Sequence, residues 1–137
     1  MTDLRDLSIG GMDCDVHPDS NCWMIVEIPA KIANLKDLES LRLTLGAFNV
    51  IPDELSDLHH LKLLDFTDCS LSNVNLAILT RIKTLESLYL YGCGLSKLPD
   101  SIGNWVHLKE LGLKGNHFDK TEQARIRRAL PNCQVSF

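Results

Sequence analysis

The sequence predicts an α/β solenoid: a short right-handed horseshoe with a parallel β-sheet on its concave side and 3₁₀ or short α-helical turns on its convex side. Three observations predict it. Apolar residues recur at offsets 0, 3, 5 and 10 in rows 23 or 24 residues apart: Leu38, Leu41, Leu43, Phe48; Leu61, Leu64, Phe66, Leu71; Leu85, Leu88, Leu90, Leu95; Leu108, Leu111, Leu113, Phe118. Offset 8 holds Gly46, Cys69, Cys93 and Asn116 in turn, where a tight turn tucks a small or polar side chain inward. The pairs Ile28-Pro29, Ile51-Pro52 and Leu98-Pro99 open similar segments between rows. Offsets 3 and 5 lie on one side of a strand. One unit cannot bury that side alone, so stacked units form a continuous core.

Taken in order, Leu4, Leu7 and Ile9 make a degenerate first row, with a strand over residues 4–9. The following row begins at Leu38, and most of the surplus falls in the 12–24 insertion, where Pro18, Asp19, Ser20 and Asn21 favour a loop or short hairpin. Trp23, Met24 and Ile25 are expected to cover apolar surface near the uncapped end of the first repeat. After each proline pair, apolar residues at +4, +7 and +10 from the Ile or Leu (Ile32, Leu35, Leu38 in the first case) fit a tight helical turn of 3₁₀ type. Proline at its start costs no hydrogen bond. The third repeat has no proline and one extra residue, and Val74, Ile78, Leu79 and Ile82 predict a short α-helix near 75–82. Residues 119–137 read as a C-terminal cap. Asp119 and Glu122 resemble a capping box, Glu122 to Leu130 a helix with Ala124, Ile126, Ala129 and Leu130 inward, and Cys133, Val135 and Phe137 a half-buried strand. The whole chain, 1–137, is expected to be a single domain.

The Leu-x-x-Leu-x-Leu-x-x-Asn/Cys rows, the Leu-Pro-x-x-Ile segments and the closing Leu-Pro-Asn-Cys-x-Val-x-Phe resemble short bacterial leucine-rich repeat proteins. The likeness covers nearly all of the chain and departs from it at the 12–24 insertion. It implies a module that binds a protein partner and performs no chemistry, although fold by itself does not fix function.

Composition agrees with a globular, non-membrane reading. The chain has 137 residues, 45% apolar and 23% charged, with a formal charge of −4. An acidic balance disfavours nucleic acid and anionic membrane as partners. The start lacks a basic segment and apolar run, and no apolar stretch is long enough to span a bilayer, so cytoplasmic residence is the expectation, and a monomer is expected alongside it. Five cysteines, an odd number, favour reduced thiols over a disulfide framework.

Signatures of catalysis are missing: the sequence has no phosphate loop, dinucleotide fingerprint, His-Glu-x-x-His or Gly-x-Ser-x-Gly. A metal- or thiol-dependent enzyme centred on Cys14, Asp15, His17, Asp19 and Cys22 is a rival reading, but the stretch offers too few close-spaced N or S ligands for zinc. No metal or cofactor is expected. His59, His60 and His107 are explained by repeat position, and Arg125, Arg127 and Arg128 by a solvated helix face. The outward strand positions are more informative. They bring Arg42, Thr44, Asp65, Thr67, Tyr89 and Tyr91 onto one surface, with Tyr89 between Asp65 and Gly112, its ring open on the glycine side, and Tyr91 between Thr67 and Lys114. Tyrosine and arginine are common anchors of interfaces. Five such strands span only about 400 Å², half of what one partner buries in a typical specific interface. Either adjoining loops contribute, with Leu45, Asp68 and the 12–24 insertion as candidates, or binding is weak. A second rival reading is an inhibitor or immunity-type protein that blocks a partner's active site.

Overall fold

Alternation at offsets 3 and 5 becomes a strand in each row. The computed structural model describes residues 3–10 and 27–137, so the 12–24 insertion, with Cys14, Cys22, Trp23 and Met24, and Ile25 after it lie outside the described residues. The strands are β1 (Asp6–Gly10), β2 (Ser40–Thr44), β3 (Leu63–Asp65), β4 (Ser87–Tyr89), β5 (Glu110–Gly112) and β6 (Gln134–Ser136). They form one six-stranded parallel sheet in sequence order. Leu7, Leu41, Leu64, Leu88, Leu111 and Val135 align across all six, as the repeat interval requires. The first strand runs 6–10 rather than 4–9, and Leu4 and Ile9 are exposed at this edge, where β1 has a described partner, β2, on one side only.

The turn after each strand repeats a left-handed backbone at offset 7: Leu45 (φ 58°), Asp68 (φ 55°), Gly92 (φ 62°) and Gly115 (φ 77°). Glycine and aspartate suit that conformation, whereas a leucine there is disfavoured by about 1–2 kcal/mol. At offset 8 the side chain turns inward and bonds the carbonyl of the offset-5 residue one coil back. Cys69 Sγ donates to Leu43 O (2.9 Å) and Cys93 Sγ to Phe66 O (3.0 Å). Asn116 Nδ2 donates to Leu90 O (2.6 Å). Burial holds both thiols protonated, Cys69 pushed up to about 11 and Cys93 to about 12, and both are free cysteines that serve as donors.

The return path runs through 3₁₀ turns at Ala30–Asn34, Asp53–Asp57, Leu76–Arg81 and Asp100–Asn104. Pro29, Pro52 and Pro99 precede three of them, each carbonyl closing the first turn onto Ile32, Leu55 or Ile102 N. The short α-helix expected near 75–82 is instead a six-residue 3₁₀ turn, capped by Asn75 Oδ1 accepting from Ala77 N (3.0 Å). Its neighbours are 3₁₀ turns one coil away, and Leu79 O accepts from Ile82 N in 3₁₀ fashion and from the buried Trp105 Nε1 (2.7 Å). These two bonds occupy the carbonyl that an α-helical Lys83 N would have used. Thr80 is buried there and bonds Ala77 O and Ser101 Oγ, both at 2.7 Å.

The last coil is covered by α1 (Lys120–Ala129), which Asp119 opens by accepting from Glu122 N at 2.7 Å. Ile126 and Leu130 face the core as expected, and Ala129 packs partly against it, but Ala124 is exposed. The inward place on that turn belongs to Glu122. Its carboxylate accepts from Leu98 N (3.0 Å) and from Arg125 Nε and Nη2 (2.9 and 2.6 Å), while Arg125 Nη2 also donates to Leu98 O (2.7 Å). Arg125 is thus a clamp between cap and last coil rather than a solvated charge, and Arg127 lies 4.6 Å from the centre of the Phe137 ring. Bonding to Arg125, opposed by burial and helped by Leu98 N, holds the Glu122 carboxyl below its ordinary value. A carboxyl lowered on folding stabilises the fold above its unfolded pKa, near 4.5, and loses that contribution as pH falls through the folded value. Glu122→Gln is therefore expected to cost about 2 kcal/mol at pH 7 in urea unfolding, and the difference from wild type should shrink below pH 4. A pH-independent gap would mean that the charge is not what holds the cap.

Candidate functional site

Side chains at offsets 2 and 4 leave the sheet on the side opposite the leucines, and the alignment of coils sets them in rows. Ser8, Arg42, Asp65, Tyr89, Gly112 and Ser136 stand in adjacent strands in that order. Tyr91 follows at offset 6, its carbonyl accepting from Asp68 N (2.7 Å) while Gly92 N donates to Lys114 O (2.9 Å), which places Tyr91 between the third and fifth rows. The sequence-derived set Arg42, Thr44, Asp65, Thr67, Tyr89 and Tyr91 therefore lies along neighbouring strands and the turns that follow them.

The tyrosines are arranged differently from the open ring expected at Tyr89. Their rings stack on each other, 5.7 Å between centres and 17° between planes. Tyr91 reaches across to β5, where Gly112 lacks the Cβ that would collide with Cζ, Oη and Cε1 of the ring. The space beside Tyr89 that glycine leaves is thus filled by Tyr91. Tyr89 Oη donates to Glu110 Oε2 (2.5 Å), and this bond, with some burial, raises its pKa above the usual phenol value. The hydroxyl is a fixed neutral donor. The pair forms one wall of a shallow pocket of about 320 Å³ that Lys114, Gln134 and Ser136 also line. Six strands enlarge the face only modestly, because four of them are three residues long.

Next to the tyrosines, Asp65 Oδ1 accepts from Thr67 N (2.8 Å) and Thr67 Oγ1 (2.6 Å), which fixes both side chains. Arg42 is exposed and donates to Ser40 Oγ (3.2 Å). Charges on this face contrast with those at the start of the strands. At offset 1 the signs alternate along the stack, Arg5, Glu39, Lys62, Glu86, Lys109. Glu39 pairs with Arg5 (3.5 Å) and Lys62 (3.4 Å), and Glu86 pairs with Lys109 (2.9 Å). The bond to Lys109 is the main cause of a lowered Glu86 pKa. On the sheet face, Arg42, Asp65, Asp68, Glu110 and Lys114 form no ion pair among the described residues. Sequence reasoning missed the offset-1 alternation, although it is visible once the rows are aligned.

Other candidates fall elsewhere. His59, His60 and His107 come together with Lys62 and Lys109 along a groove of about 520 Å³ at the strand-start edge, away from the tyrosines. No group of three or more His, Cys, Asp or Glu among the described residues could hold a metal ion. No described helix is long and apolar enough to cross a membrane. Cys133 is half-buried, and burial pushes its thiol up to about 11, away from a reactive thiolate.

The Leucine Rich Repeat family model matches residues 84–105, the row that contains both tyrosines. Over 94 residues, 66% of its length, the chain is 40% identical to the receptor-like protein EIX1 of Solanum lycopersicum, of which the match covers 9%. It is similar to a solved leucine-rich repeat protein of Leptospira interrogans with a TM-score of 0.75 and 29% identity, over 82% of this chain and 29% of that one. A looser likeness joins it to the leucine-rich repeat ectodomain of the receptor kinase SOBIR1 from Arabidopsis thaliana, with a TM-score of 0.42 and 22% identity over 66% of this chain and 63% of that one. The chain spans less than a third of the tomato and Leptospira proteins it matches. Aligned rows, a six-stranded parallel sheet, 3₁₀ return turns and the likeness to the Leptospira protein give the chain the fold of a leucine-rich repeat solenoid.

Proposed function

We propose that the chain is a non-catalytic docking module that binds a partner protein through its concave sheet face, with Tyr89 and Tyr91 at the centre and Asp65, Thr67, Arg42 and Thr44 around them. Leucine-rich repeat proteins generally mediate protein–protein interaction, and the observation that carries the specific reading is the stacked tyrosine pair. Two half-buried rings already held in place by Gly112 and Glu110 offer a large apolar area that loses little freedom on binding. Beside them lie charges without described ionic partners, which suits a complementary surface better than it suits the isolated fold. Cytoplasmic residence belongs to the same reading, since Cys69 and Cys93 act as free donor thiols in the core.

The test is the double variant Tyr89→Ala/Tyr91→Ala. Affinity for the partner, captured from the native cell and then purified, should fall by about 2 kcal/mol or more, roughly thirtyfold in Kd. The circular dichroism spectrum should be retained, because the leucines beneath are untouched. Unchanged affinity would remove the tyrosines from the site.

A further inference from the structure

Leu45 is unfavourable to the isolated chain twice over. Its backbone is left-handed at φ 58°, and the residue, large and apolar, is 47% exposed. The same position in the next three coils carries Asp68, Gly92 and Gly115, which suit that backbone better. Glycine at 45 would relieve both penalties, so the turn itself does not call for leucine there. The row also has a distinct shape. A side chain at Gly115 would come within 3.3 Å of the Gly92 backbone, and one at Gly92 would collide with Asp68 Oδ1. The two glycines thus form a bare backbone shelf, with the Asp68 carboxylate leaning over one end and Leu45 beyond it. The shelf runs directly after the row of Thr44, Thr67, Tyr91 and Lys114.

We propose that the row Leu45, Asp68, Gly92 and Gly115 is the second half of the docking surface, and that it takes a partner segment with an apolar side chain set on Leu45 and a basic side chain set on Asp68. Charge complementarity selects the basic residue. Asp68 and nearby Asp65 have no cationic partner among the described residues. The chain as a whole carries −4, which draws a basic segment toward it. This inference rests on the reading of the sheet face as a docking surface.

Peptides selected on the immobilised full chain from a short random-peptide display library provide the probe. Each enriched peptide is measured against wild type, Leu45→Gly, Asp68→Asn and Tyr89→Ala/Tyr91→Ala. Enriched peptides should carry Lys or Arg close to a bulky apolar residue, and Leu45→Gly and Asp68→Asn should each weaken them about tenfold. Asparagine tolerates the left-handed backbone, and Leu45→Gly should melt about 3 °C higher, so weaker binding would not be a folding defect. Peptides sensitive to the tyrosine variant alone would overturn the second half-site and leave the sheet-face reading standing. Failure to enrich any peptide, or indifference to all three variants, would overturn both. A Leu45→Gly variant that melts no higher than wild type would overturn the strain on which the proposal is built.

Discussion

Asn116→Ala is expected to lower stability by about 3 kcal/mol in urea unfolding, with the midpoint shifted and the slope unchanged. Four main-chain groups depend on this amide. Oδ1 accepts from Cys93 N and Leu95 N, both at 3.0 Å, and Nδ2 donates to Leu90 O (2.6 Å) and Leu113 O (2.8 Å). Removing the amide leaves all four without it, inside a turn that joins two coils. Asn116 is only half-buried, so water can rescue part of the loss, which holds the figure near 3 rather than at the sum of four. Asn116→Cys should fall between wild type and the alanine variant. Cys69 and Cys93 show that a thiol can keep the bond to the preceding coil's carbonyl, but a thiol cannot accept from two amides as Oδ1 does. Equal losses for the two variants would show that the carbonyl bond contributes nothing.

Phe66→Ala is expected to cost about 4 kcal/mol, lowering the melting temperature by about 12 °C. Phe66 is fully buried, where its equivalents in the neighbouring rows are Leu43 and Leu90. Its ring meets the edge of Phe48 at 5.5 Å and 82°, so truncation opens a cavity between the second and third coils and removes an aromatic contact. Phe66→Leu fits the repeat pattern and should recover most of the loss. A leucine variant as unstable as the alanine one would mean that the Phe48 contact, not the volume, is decisive.

The strand alignment was legible because one interval fixes it. Once Leu41, Leu64, Leu88 and Leu111 are placed in register, the outward positions of Arg42, Asp65 and Tyr89 follow without further information. Details set by neighbouring coils were not legible. Apolar spacings of three and four between Val74 and Ile82 allow either helix type, and the choice fell to adjacent 3₁₀ turns and the Trp105 bond to Leu79 O. Periodicity alone points Ala124 inward, but the buried place on that turn goes to Glu122, whose partners Leu98 and Arg125 come from two different elements. The tyrosine rings could be assigned to the correct face but not to their mutual stacking, because Gly112 opens space that Tyr91 fills from the neighbouring strand. Gly92 and Gly115 at the equivalent positions hint at a left-handed turn, but that Leu45 shares it, at φ 58°, is seen only in the structure.

The alternating signs at the start of the strands limit how this molecule can be edited. Excising one complete coil from the middle would set Glu39 beside Glu86, or Lys62 beside Lys109, while excising two would keep opposite signs adjacent. Each contact is weak at an exposed site, yet all of them reject the same wrong neighbours. Length in this solenoid therefore has a parity, and pairs of coils are the natural unit in which it could be shortened or extended.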